Sequence, residues 1–185
     1  DNFKQINDFN GHSAGDLVLQ RCAQRIAGLL PERSLLARIG GDEFAAVVVF
    51  DRNREDVIDQ LAVAIEQELA QPESINGSDI KVTASIGIAR SDAGHASEEG
   101  WNDTQVLMHM ADIAMYHAKK EGRNCYFWFE ESMEAELRFR NQIENGIRRG
   151  LPLGEFVPYY QEQIDLQTGE LTGFEMLARW NSPTL

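Results

Sequence analysis

The chain has few cysteines, little positive charge and no long apolar run, and each shortage excludes a class of protein. Only 2 of its 185 residues are cysteine. Cys22 and Cys125 are isolated thiols without metal-ligand spacing, so a disulfide framework is excluded and a reducing, cytoplasmic setting is expected. No stretch approaches the length of a transmembrane helix and no signal peptide is visible, so this segment should make no direct membrane contact. Any membrane anchor of a longer protein would lie in regions outside it. Lys and Arg total 17 against 30 Asp and Glu, a net charge of -13. That balance argues against nucleic acid as a partner, because a polyanion calls for a basic surface. An anionic ligand would have to be held by metal ions and a few local cations. Internal repeats and low-complexity segments are also missing.

What the chain does have is 43% hydrophobic residues, enough for a sizeable core, over a length suited to one domain and part of another. It begins at Asp1 without methionine and stops at Leu185 just after a strand-like stretch, and so reads as an excerpt of a longer protein. Leu19, Cys22, Ala23, Ile26, Leu29 and Leu30 recur at helical spacing, which predicts a helix from Asp16 to Leu30 with Ser13 as its cap. "LARIGGDEFAAVVVF" brings two apolar runs together through Gly40-Gly41 and predicts a β-hairpin, with strands at Ser34 to Arg38 and Phe44 to Phe50. Asn53 is the expected cap of a second helix lined by Val57, Leu61, Ile65 and Leu69. Strict alternation at Ile80, Val82, Ala84, Ile86 and Ile88 predicts a half-buried strand. A third helix follows "WND", burying Leu107, Met110, Ala111, Ala114, Met115 and Ala118 and ending at Gly122. "NCYFWF" predicts one more strand. The order is that of an α+β sandwich, helices on an antiparallel sheet, lacking only an opening strand before Asp1. A charged connector helix and linker occupy 130–154, with Met133, Leu137, Ile143 and Ile147 as a sparse apolar stripe. Two strands then begin something that 155–185 do not complete.

Four clusters point to chemistry. Asp42 and Glu43 sit on a Gly-Gly turn: either a solvated hairpin tip, or a site where backbone approaches phosphates and carboxylates hold a hard cation. Asn7 and Asp16 flank a glycine-bearing loop in "FKQINDFNGHSAGD". A carboxylate and an amide there could read the donor pair of a guanine edge, or could make a turn and cap a helix. Lys119 and Arg123 close the third helix, as partners of its dipole or as cations for a triphosphate. His12 and His117 show no metal-binding spacing and receive no role.

"FKQINDFNGHSAGD", "RIGGDEF", "TASIGIA" and "ADIAMYHAKKEGRN" stand in the order and at the separations of a GGDEF domain, and Asp1 to about Phe129 resembles the diguanylate cyclase family. The resemblance implies a fold similar to the palm of nucleotidyl cyclases and the condensation of two GTP into cyclic di-GMP. Asp42 falls on the metal-binding and Glu43 on the catalytic acidic position. Gly40 and Gly41 match the glycines over the phosphates, Asn7 and Asp16 the guanine contacts, and Lys119 and Arg123 the terminal-phosphate contacts. The implied cofactor is Mg²⁺ or Mn²⁺, bound by Asp42 and Glu43. Because each such domain holds one GTP, a homodimer is implied as the active species. The alternative is a silent GTP-binding module that regulates a phosphodiesterase.

Two departures from the family bear on function. Asp1 matches the second Asp of an Asp-x-Asp pair whose first member, a metal ligand, would lie upstream, so the segment alone is expected to be inactive. "PERS" (Pro31 to Ser34) stands where many members carry Arg-x-x-Asp, so product inhibition through that surface is expected to be lost. The tail, from about Glu155, resembles the start of an EAL domain, a cyclic di-GMP phosphodiesterase with a TIM-like barrel. Glu175 falls on its metal-binding glutamate, and Gln161 and Arg179 on substrate-contacting positions, while Glu162 replaces the usual proline and Met176 the usual alanine.

Overall fold

The computed structural model describes residues 1–51, 53–75, 77–91 and 103–183, which form two compact units, Asp1–Met133 and Glu134–Leu185. Among the described residues no helix is long and apolar enough to cross a membrane.

In the first unit the opening stretch is helical rather than a loop. α1 (Phe3–Asn10) and α2 (His12–Leu29) are separated by Gly11 alone, at φ +83°. A single left-handed residue breaks the helix without costing its hydrogen bonds. The Gly11 N–H donates to the Asn7 carbonyl at 2.9 Å, and its own carbonyl accepts from Ala14 and Gly15, both at 3.2 Å. α2 therefore starts four residues before the expected Asp16, and Ser13 lies in its first turn instead of capping it. Ala14, Val18, Cys22 and Ile26 recur every fourth residue and form the core with Leu69, Ile75 and Ile80.

β1 (Leu35–Gly40) and β2 (Glu43–Val47) form the expected antiparallel hairpin, with β2 shorter than its apolar run. Leu36 and Phe44 pack on the core, and the opposite face leaves Leu35 and Val47 exposed. α3 (Glu55–Leu69) is preceded by Arg54, not capped by Asn53, whose N–H is taken by the Asp51 carboxylate at 2.9 Å. Its buried stripe is Ile58, Ala62 and Leu69, so Val57, Leu61 and Ile65 are only half-buried. Arg25 fastens the end of α3 to α2, donating to the carbonyls of Glu68 (3.0 Å) and Gln71 (2.9 Å) and pairing with Glu73.

The alternating run expected as one strand is divided. β3 (Glu73–Ile75) pairs with β4 (Ser78–Ile80), residues 81–85 carry no ladder, and β5 (Ile86–Ile88) pairs with β6 (Tyr126–Trp128) in parallel. The antiparallel sheet is thus corrected to a mixed α/β arrangement of small two-stranded sheets among the described residues. The cause is topological: α4 (Asp103–Lys120) carries the chain from β5 to β6, and a crossover helix returns the chain in the same direction. Trp101 and Asn102 of "WND" lie outside the described residues. Gly87 lets β5 approach α4, since a Cβ there would meet the Ala111 carbonyl and the Met115 amide. Ala114 and Ala118, fully buried, line the same helix.

α5 (Glu131–Gly150) carries ion pairs one turn apart, Arg138 with Glu134 at 2.6 Å and Arg140 with Glu144 at 3.1 Å. In the second unit β7 (Phe156–Ile164) and β8 (Leu171–Trp180) form a long antiparallel hairpin. Phe156 stacks on Trp180 at 5.4 Å, and the Trp180 indole N–H donates to Glu155 at 2.9 Å.

Candidate nucleotide site

The tip of the β1–β2 hairpin is built by its glycines. The ladder slips between Arg38 and Gly40, which leaves Gly40 opposite Glu43, and Gly41 takes φ +51°, a value that favours glycine. A Cβ at either glycine would meet nothing within 4 Å, so the backbone is open to an approaching group. Asp42 and Glu43 are exposed there. Arg38 braces the tip, its Nε donating to the Gly41 carbonyl at 2.9 Å. No motif at the sequence level signalled that bond.

The cationic end is built differently. The last turn of α4 closes on Gly122 at φ +117°, with the Arg123 N–H donating to the Ala118 carbonyl at 3.1 Å and the Glu121 N–H to His117 at 2.9 Å. This is the expected glycine stop, with its six-to-one hydrogen bond. Arg123 and Asn124 follow, also left-handed at φ +64° and +51°. For Arg123 that conformation costs roughly 1–2 kcal/mol, whereas asparagine tolerates it.

The segment before β5 and the residue that follows Arg123 are brought together at Asp1. The Asp1 carboxylate accepts from the Ser85 hydroxyl at 2.8 Å, the Thr83 hydroxyl at 3.2 Å and the Asn124 N–H at 3.4 Å.

Asn7 and Asp16 lie on α1 and α2. The half-buried Asn7 side chain packs on Gly15 so closely that a Cβ at Gly15 would overlap its Oδ1, which sets the amide beside the residue next to the exposed Asp16. Among the described residues no group of three or more His, Cys, Asp or Glu is arranged to hold a metal; the hairpin offers the two carboxylates of Asp42 and Glu43.

Residues 1–125 match the family model described as "Diguanylate cyclase, GGDEF domain". The chain belongs to the GGDEF family. A GGDEF domain of TpbB (YfiN) from Pseudomonas aeruginosa superposes with a TM-score of 0.65 at 38% identity, covering 75% of this chain and 77% of that one. The GGDEF domain of DgcB from Caulobacter crescentus, solved in complex with c-di-GMP, gives 0.57 at 30% identity, covering 69% and 72%. Among curated relatives, the bifunctional diguanylate cyclase/cyclic di-GMP phosphodiesterase MucR of Pseudomonas aeruginosa is 36% identical over 184 residues, 99% of this chain and 26% of that protein. The cyclic di-GMP phosphodiesterase PdeR of Escherichia coli is 33% identical over 183 residues, again 99% of this chain and 26% of that protein. The chain thus spans about a quarter of the length of these curated relatives.

The GGDEF motifs account for the hairpin, the α1–α2 pair and the end of α4. They do not reveal Arg38, or that "TASIGIA" supplies the hydroxyls that receive Asp1. "PERS" forms a turn ahead of β1 in which the Ser34 N–H donates to the Pro31 carbonyl at 3.2 Å and Arg33 takes φ +68°. In the second unit the register sets Gln161 opposite Glu175, with Arg179 on the same face four residues along β8. Arg179 lies over the Tyr159 ring at 5.7 Å.

Proposed function

We propose that this domain makes cyclic di-GMP from two GTP within a GGDEF-EAL protein. The observation that carries the reading is the open Gly40-Gly41 tip, which sets the exposed Asp42 and Glu43 beside backbone that an approaching group can reach, in a chain of the GGDEF family. In an acidic chain a triphosphate needs local cations, and Lys119 and Arg123 stand at the end of α4. Lys119 and Arg123 bind its terminal phosphates, the open backbone of Gly40 and Gly41 admits the chain of phosphates, and Asn7 with Asp16 reads the guanine edge. Asp42 and Glu43 are a fitting donor set for Mg²⁺ or Mn²⁺, which commonly bind through one or two carboxylates with substrate phosphates completing the shell. When bound, the metal neutralises phosphate charge and lowers the pKa of the ribose 3′-hydroxyl. In each of two steps a 3′-oxygen bonds to the α-phosphorus of the other GTP, the bond to pyrophosphate breaks, and the hydroxyl proton leaves beside Glu43. Two domains face to face, a symmetric dimer, are required because each holds one nucleotide.

The β7–β8 hairpin is read as the opening of an EAL barrel, with Glu175 as a metal ligand and Gln161 and Arg179 as substrate contacts. The match to MucR, extending over 99% of this chain, supports that reading. A second reading is favoured by PdeR, a phosphodiesterase by name that matches over the same span: here the GGDEF half binds GTP and regulates hydrolysis. Full-length protein incubated with GTP and Mg²⁺, in parallel with a cyclic di-GMP hydrolysis assay, separates the two. Cyclic di-GMP formation from GTP is expected. GTP-stimulated hydrolysis without synthesis would favour the regulatory reading. Product should not inhibit through the "PERS" turn, so with Glu175→Ala blocking hydrolysis the initial rates should be insensitive to added cyclic di-GMP. Inhibition abolished by Arg33→Ala would show the opposite.

A further inference from the structure

The sequence motifs leave Asp1 without a role, yet its carboxylate is among the most heavily bonded in the first unit. It accepts hydrogen bonds from the Ser85 and Thr83 hydroxyls and from the Asn124 N–H, and it is partly buried while doing so. What it joins matters more. Thr83 and Ser85 belong to the segment leading into β5, and Asn124 ends the left-handed run Gly122, Arg123, Asn124. Of these three, Arg123 is the one that resists this conformation, since glycine and asparagine adopt it readily. The Arg123 N–H is fastened to the Ala118 carbonyl at 3.1 Å, and Asp1 accepts from the next N–H, that of Asn124, at 3.4 Å. The backbone of Arg123 lies between those two N–H groups.

We infer that Asp1 is a positioning residue for the cationic end of the site: through Asn124 it sets the direction in which Arg123 meets the terminal phosphates. This rests on the assignment of Arg123 to those phosphates. It gives Asp1 an effect confined to nucleotides that carry them. Loss of the carboxylate frees Asn124, the left-handed run relaxes, and the guanidinium no longer points at one place. Guanine and ribose contacts made elsewhere are untouched.

The test uses the full-length protein with Mg²⁺ and two probes measured by calorimetry, GMP and the α,β-methylene analogue of GTP, which cannot release pyrophosphate. Asp1→Asn should weaken the analogue about tenfold and GMP less than twofold. Ser85→Ala, which removes the nearest partner of Asp1 and is milder for folding, should act in the same direction by about threefold. In an Arg123→Gln background Asp1→Asn should have no further effect on the analogue. Equal weakening of both probes, or a tenfold loss that persists without Arg123, would overturn the inference. If the unsubstituted protein holds the analogue no better than GMP, the phosphate assignment of Arg123 fails by itself. Hydrogen exchange at the Asn124 amide then decides the role of Asp1: faster exchange in Asp1→Asn upholds it as the fastening of this loop, and unchanged exchange removes it.

Discussion

The hairpin tip and the loop after α4 carry opposite charges and are built on opposite plans. The tip is exposed and open, with Arg38 bracing one carbonyl and Gly41 supplying a left-handed turn. The loop is held at the Arg123 N–H by the close of α4 and at the Asn124 N–H by Asp1, and Arg123 keeps a left-handed conformation that it resists. Space is left around the two carboxylates, whereas the backbone beneath Arg123 is held by hydrogen bonds. The contrast predicts that substitutions at the tip change chemistry without touching the fold, and that substitutions under the cationic end act through structure.

The largest effect should come from Glu43→Gln in the full-length protein. Synthesis of cyclic di-GMP should fall about 10³-fold, the scale on which loss of a proton-handling group acts. Thermal unfolding should be unchanged, because the side chain is exposed. A shifted melting curve would break the comparison by making the tip structural.

Gly87→Ala tests the other side. A Cβ at this position meets the Ala111 carbonyl and the Met115 amide, backbone groups that cannot swing aside. Overpacking of this kind costs about 1–3 kcal/mol, and urea unfolding should show a loss near the upper end. A neutral result would mean that β5 and α4 separate easily and that α4 does not fix where Lys119 and Arg123 sit.

Gly15→Ala sharpens the contrast because the obstacle is the end of a side chain. The new methyl overlaps Asn7 Oδ1, and Asn7 can turn away. Stability should change little, while GTP affinity drops about tenfold, or ~1.4 kcal/mol. An affinity unchanged by calorimetry would remove Asn7 from the guanine contacts.

The smallest effect concerns an acid with no donor to receive it. Glu66 Oε1 is buried without a hydrogen-bond partner, and burial raises the carboxyl above its ordinary value of 4.5. The folded state therefore binds a proton more readily than the unfolded one, and the destabilisation is complete above the folded value and absent below 4.5. Glu66→Gln should stabilise the domain at neutral pH by less than ~1 kcal/mol, since the group is partly solvated. The gain should vanish as unfolding is measured at falling pH. A gain that persists below the unfolded value would exclude titration as its cause.

Much of the site was legible in short stretches of chain. Gly40-Gly41 between β-forming runs marked the hairpin because only glycine suits its turn, and Gly122 after a helical stripe marked where α4 ends. Elements governed by more distant contacts were misread. The start of α2 was set too late because Gly11 breaks one helix and opens the next, which a loop-like glycine among polar residues conceals. The run from Ile80 to Ile88 alternates perfectly, yet alternation describes which side is buried and not which strand is the neighbour.

By itself the sequence determined the family motifs and the candidate site residues they carry, because motif, spacing and turn chemistry are local properties of neighbouring residues. It also determined the charge balance that makes Lys119 and Arg123 valuable in an acidic chain. The tertiary structure decided the pairing of β5 with β6 in parallel, the approach of Gly87 to α4, and the junction where Asp1 meets Ser85 and Asn124 across 84 and 123 positions of sequence. Such contacts depend on the path of the whole chain. A carboxylate at Asp1 has no local signature that says which hydroxyls and which amide will be folded onto it.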